Sequence, residues 1–225
     1  MIFRYLSTGI YSFKKSNHSF LIKQAFCKDV LIFNCSEGCQ INLLNQGFKI
    51  NNLSKIIVAD LHINNISGLL GLLSSLNLIG RTKSLHIYIP CDLKYYVDLG
   101  KKYSHTNFNY VVYFHVLKTG LIINSSSYRF YTFFYKRSYV FVFMQLEKYG
   151  TFFFNIARKN YLNAGPLYGK LKEGHSFLFS DGFVLDGTKL TQKNLVGQQL
   201  SIFKSFFYYR HYFENSLFFS FLLIL

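Results

Sequence analysis

The stretch Ile57-Val-Ala-Asp-Leu-His-Ile-Asn-Asn-Ile-Ser-Gly-Leu-Leu-Gly-Leu-Leu-Ser-Ser75 changes its period halfway. Residues 55–58 form a short apolar, β-branched run of the kind that builds a buried strand. From Gly68 to Leu78 the leucines are dense enough for a helix, with Gly68 and Gly71 placed to let it pack closely on a sheet. Between the two lie Asp60, His62, Asn64 and Asn65, a polar cluster where strand gives way to helix.

The same texture spreads outward in both directions. Strands are predicted at 19–22, 30–33, 84–89, 110–116, 121–123, 128–134 and 139–146, separated by Gly, Asn and Ser clusters. Helical spacing recurs at 41–46 and at 92–102, where Leu93, Tyr96, Val97 and Lys101 share a side. Strands interleaved with a few helices give an α/β or α+β layered domain. The chain has 225 residues and is half hydrophobic, so it can bury a large core. No repeat or low-complexity linker divides it, and residues 1–225 read as one domain. Residues 163–187 differ, with five glycines and Pro166. They predict turns joining short strands, with Lys170 and Lys172 exposed, and such an insertion is more often functional than filler.

Twenty-five Lys and Arg against ten Asp and Glu give a net charge of +15, spread along the chain. A surface of that sign attracts polyanions, because each neutralised phosphate releases counterions. Aromatic residues make up 20% of the chain without a single Trp. Phe, Tyr, Ile, Asn and Lys share A/T-rich codons, so single aromatics carry little functional weight. Cys27, Cys35, Cys39 and Cys91 form neither a zinc nor a disulfide framework, and no secretory signal precedes them, which points to a reducing compartment. His18, His86, His105, His115 and His175 have no metal-ligand spacing to one another and read as surface or core histidines. The apolar tail 216–225 is too short to span a bilayer.

Three blocks carry a family resemblance. Leu31-Ile-Phe-Asn-Cys-Ser-Glu-Gly-Cys-Gln40, with Leu43 and Leu44 after it, is similar to a strand and turn written D-C-G-E-G-T-Q. The stretch 57–75, followed by Gly80-Arg81-Thr82, is similar to T-H-L-H-G-D-H-I-x-G-L-P-G-L-L-S-S. Ala164-Gly-Pro-Leu-Tyr-Gly-Lys-Leu-Lys-Glu-Gly174 matches G-P-L-Y-G-K-L-K-x-G, and Asp181-Gly182 follows at the expected distance. Weaker echoes lie at residues 6–9 and at Lys14 and Asn17. In these blocks the chain resembles ribonuclease Z, the tRNA 3′-end endonuclease of the metallo-β-lactamase superfamily.

The resemblance implies an α/β fold, a metallo-β-lactamase-like layered sheet sandwich with flanking helices, here with its C-terminal half incomplete. It also implies a tRNA-gripping arm at about residues 155–190. Activity in the family is removal of tRNA 3′ trailers by metal-assisted hydrolysis, with zinc as cofactor, tRNA precursors as substrate, a homodimer as assembly and no membrane. The metal motif H-x-H-x-D-H falls on Asp60, His62, Asn64 and Asn65. Asp60 and His62 are the remnant ligands, while Asn64 occupies the general-base position, where an amide has no useful basicity. An amide at Asn65 is a poor donor to zinc. Further family ligands fall near Lys136 and Ser205, and His211 stands in no matching context. No residue is assigned a catalytic role. Gly165, Pro166, Tyr168, Lys170 and Lys172 of the arm, and Lys14 of a substrate loop, are the RNA-binding candidates.

Three readings follow: an enzyme with a rebuilt single-metal site at Asp60 and His62, a non-catalytic tRNA-binding or dimer-partner subunit, and a decaying reading frame. The A/T-biased composition and the tRNA-processing family suggest a plastid, with a bacterial cytoplasm as the alternative.

Overall fold

The computed structural model describes residues 2–6, 19–23, 28–135, 138–147, 150–160, 162–163, 165–192, 197–203 and 221–224. Lys14, Asn17, His18, Cys27, Lys136, Ser205 and His211 lie outside these residues.

The first sheet has six strands in sequence order: β1 (Ile2–Tyr5), β2 (Phe20–Lys23), β3 (Val30–Phe33), β4 (Leu53–Ile57), β5 (Leu85–Ile89) and β6 (Val112–Val116). The first three are antiparallel and β3 to β6 are parallel. Parallel neighbours need a crossover, supplied by α1 (Cys39–Asn45), by α2 (Ile63–Ile66) with α3 (Leu69–Leu78), and by α4 (Leu93–Tyr103). The second sheet begins with the meander β7 (Gly120–Asn124), β8 (Tyr128–Tyr135) and β9 (Ser138–Gln145). The chain then makes an excursion through α5 (Phe154–Lys159), α6 (Leu167–Lys172), β10 (Ser176–Leu178), β11 (Val184–Asp186) and α7 (Gly187–Leu190). It returns as β12 (Gln199–Phe203), antiparallel to β9, and β13 (Phe221–Ile224) completes the order β13-β12-β9-β8-β7.

Strand alternation sorts the core into two layers. Leu85, Ile87 and Ile89 pack with Leu69, Leu72, Leu73 and Leu76 of α3 and with Leu93 and Val97 of α4. Phe33, Ile57 and Tyr88 face the other way, onto Phe130, Phe141, Phe143 and Ile202 of the second sheet. The central strands are covered on both sides, which is why β3 is buried at every position and reads as an unbroken apolar run. Phe33 stacks on Phe20 with ring centroids 4.8 Å apart and meets Phe141 edge-on at 5.0 Å. Each fully buried Leu or Phe contributes about 1.5–3 kcal/mol of transfer free energy.

The excursion between β9 and β12 has its own small core of Leu171, Leu185 and Leu190, with Tyr168, Phe177 and Phe179 packed against it. Within it the structure departs from the turn predicted around Gly165 to Gly169. Pro166 (φ −60°) heads helix α6 instead, because its locked φ suits a first helical turn and the following Leu-Tyr-Gly-Lys-Leu-Lys includes good helix formers. The short helix α2 likewise has no counterpart in the sequence pattern. Among the described residues no helix is long and apolar enough to cross a membrane.

Candidate functional site

Where β3 and β4 end, a cleft of about 230 Å³ opens between the two sheets. Asn34, Asp60, His62, Asn64 and Asn65 line one wall, and Tyr139 and Phe203 line part of the other. The geometry grows from a backbone anomaly. Asn34 is buried at φ 56°, a left-handed conformation that Asn tolerates better than most residues. There its N–H donates to the Ile57 carbonyl at 2.7 Å and its Oδ1 accepts from the Ala59 N–H at 2.9 Å. This clamp carries the β3–β4 pairing past the end of β4 and sets the direction in which residues 59–62 leave the sheet.

Asp60 then makes a turn of its own, its Oδ1 accepting from the His62 N–H at 2.9 Å. His62 caps α2, with Nδ1 accepting from the Asn64 N–H at 3.3 Å. That bond commits the ring's Nδ1 lone pair and places the proton of the neutral imidazole on Nε2. One turn on, the side chain of Asn65 is buried, and its Nδ2 donates to the same Asp60 Oδ1 at 2.6 Å. The carboxylate fixes the orientation of the amide, since Oδ1 of Asn65 facing Asp60 would be repelled. The backbone of Asn65 is held as well, its carbonyl accepting from the Cys35 N–H at 2.7 Å, while Cys35 O accepts from Gly68 N–H at 2.9 Å. Gly68 is required at that approach, because a Cβ there would run into the Ser36 carbonyl oxygen. Gly38, in the same turn, adopts φ 71° before α1, a left-handed conformation that glycine enters without steric cost.

Behind this loop, Cys35 and Cys39 are buried against each other. Their thiol–thiol hydrogen bond, together with burial, pushes the Cys35 thiol up, while the same bond holds Cys39 lower.

The zinc-binding arrangement implied by the resemblance does not fit this donor set. Asp60 and His62 are the only His, Cys, Asp or Glu side chains among the described residues lining the cleft. Oδ1 of Asp60 already accepts two hydrogen bonds, and His62 loses its capping bond on ligating, since Nδ1 either binds the ion or takes up the proton displaced from Nε2. Asn64 is exposed and Asn65 offers an amide. Nor is any group of three potential ligands found among the described residues.

The excursion carries the remaining candidates, none of which lines the cleft. Gly165 and Pro166 are exposed at the start of α6, and Lys170 and Lys172 are exposed in its last turn. Tyr168 is half-buried. Its hydroxyl donates to Leu162 O at 2.7 Å and its ring lies 4.9 Å from that of Phe152, so it also anchors α6. One constellation escaped the sequence reading. His86 Nδ1 and His115 Nε2 meet at 3.0 Å across β5 and β6, between the stacked rings of Tyr113 and Tyr88. The two histidines are 29 residues apart, and only the strand register brings them together.

No family model matches the chain. The ycf56 protein of Pyropia yezoensis is 37% identical over 183 residues, covering 77% of this chain and 67% of that one. The ycf56 protein of Porphyra purpurea is 32% identical over 192 residues, 84% and 73% of the two chains. Ribonuclease Z of Nostoc sp. is 28% identical over 204 residues, 87% of this chain, which spans only 62% of the length of that relative. Among solved structures, the short form of human tRNase Z superposes with a TM-score of 0.52 at 23% identity, covering 64% of this chain and 63% of that one.

Proposed function

We propose that this chain, which belongs to the family of the ycf56 proteins and is a homologue of ribonuclease Z with its metallo-β-lactamase fold, takes part in tRNA 3′-end maturation by binding tRNA precursors without itself running two-metal hydrolysis. The observation that carries this reading is the 2.6 Å bond between Asn65 Nδ2 and Asp60 Oδ1. Two positions that correspond to metal ligands in the resemblance are bonded to each other, so the carboxylate's negative charge is met by an amide N–H. Zinc remains the metal that the family resemblance implies. It would supply a hydroxide at neutral pH and neutralise charge on the reacting phosphate, but the residues present are not a set that holds it for that purpose.

Binding is supported separately. The chain carries +15 net charge, and the Gly165–Gly174 segment keeps the residue pattern of the family's arm. Lys170 and Lys172 project from a helix that its own hydrophobic cluster stabilises, which suits a sequence-independent grip on the phosphate backbone. Lys14, which matches a substrate-loop position, and Gly165, Pro166 and Tyr168, which shape the arm, belong to the same proposed interface. Homodimer formation and residence in a plastid are part of this reading. The plastid rests on the similarity to ycf56 of two red algae and on the A/T-rich codon signature.

The test is a cleavage and binding assay on purified chain with precursor tRNA, in chelator, in zinc and in manganese. Binding is expected under all three conditions. Cleavage is expected to be slower than that of an intact family member by at least the ~10²- to 10⁴-fold attributable to a missing general base. Turnover at ordinary enzymatic rates with either metal would overturn the proposal in favour of a single-metal enzyme built on Asp60 and His62.

A further inference from the structure

The strands that feed the cleft described above have a second end, and there the sandwich opens again. Leu31, Lys55 and Phe143 line this second cleft, whereas the first takes Phe33 and Asn34, Ala59 and Asp60, and Tyr139 and Phe141 from the opposite ends of the same three strands. From Lys55 to Asp60, at roughly 3.3 Å per extended residue, the two openings are about 16 Å apart. The second cleft has a volume of about 350 Å³, at the lower end of the size range of small-ligand sites.

Its chemistry is asymmetric. The floor is apolar, made of Ile22, Leu31, Tyr128 and Phe143. One wall carries Lys55, half-buried, its ammonium 5.5 Å from the centroid of the Tyr128 ring and with no carboxylate within 4.0 Å among the described residues. The facing wall is the turn joining β7 to β8, where Ser125, Ser126 and Ser127 stand in succession. The Ser125 N–H is spent on the Tyr128 carbonyl at 3.0 Å, whereas the hydroxyls of Ser125 and Ser126 make no hydrogen bond among the described residues. Asp29 is the one carboxylate lining the cleft. It is exposed, and its charge acts on the Arg81 guanidinium. On the other side of Lys55, His86 occupies the next strand on the same rung. A partly desolvated ammonium beside unused hydroxyls and an aromatic floor suits a ligand with an anionic head and a flat apolar body.

The geometry points to this cleft as a binding site for a free nucleotide-sized organic phosphate, its phosphate on Lys55 and the Ser125 and Ser126 hydroxyls, its body on Tyr128 and Phe143. The site is separate from the Asp60–Asn65 cleft and does not depend on the tRNA reading.

Calorimetric titration of the full chain with AMP, and with inorganic phosphate as the body-less control, tests it. AMP is expected to bind saturably at one site and more tightly than phosphate. Lys55→Met, which keeps an apolar stem, should weaken AMP at least tenfold. Asp29→Asn should tighten it, since the carboxylate opposes the phosphate, and Lys102→Ala, which removes an equal charge from the surface of α4, should leave it unchanged. If Lys55→Met fails to fold, Ser126→Ala replaces it and should weaken AMP several-fold. Absence of saturable AMP binding, or equal binding by wild type and Lys55→Met, overturns the proposal. So does loss of tRNA affinity in Lys55→Met without AMP binding, which would assign Lys55 to an RNA footprint.

Discussion

Asn65→Ala and Asp60→Ala, made singly and together, measure how much the amide–carboxylate bond contributes where the family motif would hold metal. Hydrogen bonds to a charged acceptor contribute about 1.5–3 kcal/mol, and the 2.6 Å separation puts this one among the shorter of them. Asn65→Ala also empties the buried space that the amide fills, so its cost should be about 2–3 kcal/mol. For a chain of this length that lowers Tm by about 4–12 °C. Asp60→Ala leaves the Asn65 Nδ2–H buried without an acceptor and should cost a similar amount. The double variant should cost less than the sum of the two, with a coupling of at least about 1.5 kcal/mol in urea denaturation. Asn65→Asp gives the reasoning a sign as well as a size. It sets two carboxylates against each other at neutral pH, so this variant should be markedly unstable at pH 7 and recover as the pH falls and the pair shares a proton. Coupling near zero would refute the argument. So would a wild-type Tm raised by stoichiometric zinc, which would show the ion competing successfully with the amide.

Three further outcomes are expected. Replacing Lys170 and Lys172 together by Ala should flatten the salt dependence of tRNA binding by up to about two counterions while leaving the preference among tRNAs unchanged, and binding identical to the parent at every salt concentration would remove them from the interface. Burial, with help from His115 and Lys55, lowers the pKa of His86 below its ordinary value of about 6.5. The unfolded chain therefore takes up this proton first on acidification, so the group's contribution to stability is complete above pH 6.5 and falls away below it. His86→Gln should shrink the loss of urea midpoint between pH 7 and pH 5, and an unchanged pH profile would count against the shift. Gly68→Ala should destabilise by about 1–3 kcal/mol in thermal melts, because the added methyl meets the Ser36 carbonyl and the Cys39 sulfur, and a neutral result would mean that the α2–α3 junction yields easily.

The layers were legible where burial writes a simple pattern. The unbroken apolar run at β3 and the leucines of α3 each have one physical cause, and both fall where predicted. Legibility failed where local and long-range forces compete. Residues Ile63–Ile66, read as Ile-Asn-Asn-Ile, have no helical periodicity of their own, and α2 forms because His62 caps it and Asn65 is tied to Cys35. Leu167–Lys172 looked like turn material because of its neighbouring glycines, yet Pro166 and a packed Tyr168 make it helical. At the candidate site the sequence displayed three substitutions in a motif, at Asp60, Asn64 and Asn65, as separate losses. It could not display that Asp60 and Asn65 compensate each other, since a bond between residues five apart depends on the turn connecting them. The same applies to His86 and His115, whose meeting is a matter of register between strands.

The pairing of β9 with β12 has a consequence for how the molecule can change over generations. Met144 and Gln199 are direct neighbours in the second sheet, and the Gln145 N–H donates to the Gln198 carbonyl at 2.8 Å, so the chain leaves and re-enters through a doorway one strand spacing wide, about 4.8 Å. Between the two strands, Leu171, Leu185 and Leu190 give the excursion a small core of its own. A module attached in this way can lengthen, shorten or alter its surface while the sandwich keeps its register, and the sandwich can lose chemistry at Asp60 while the module keeps its shape. Inheritance can therefore act on the module and on the sandwich separately.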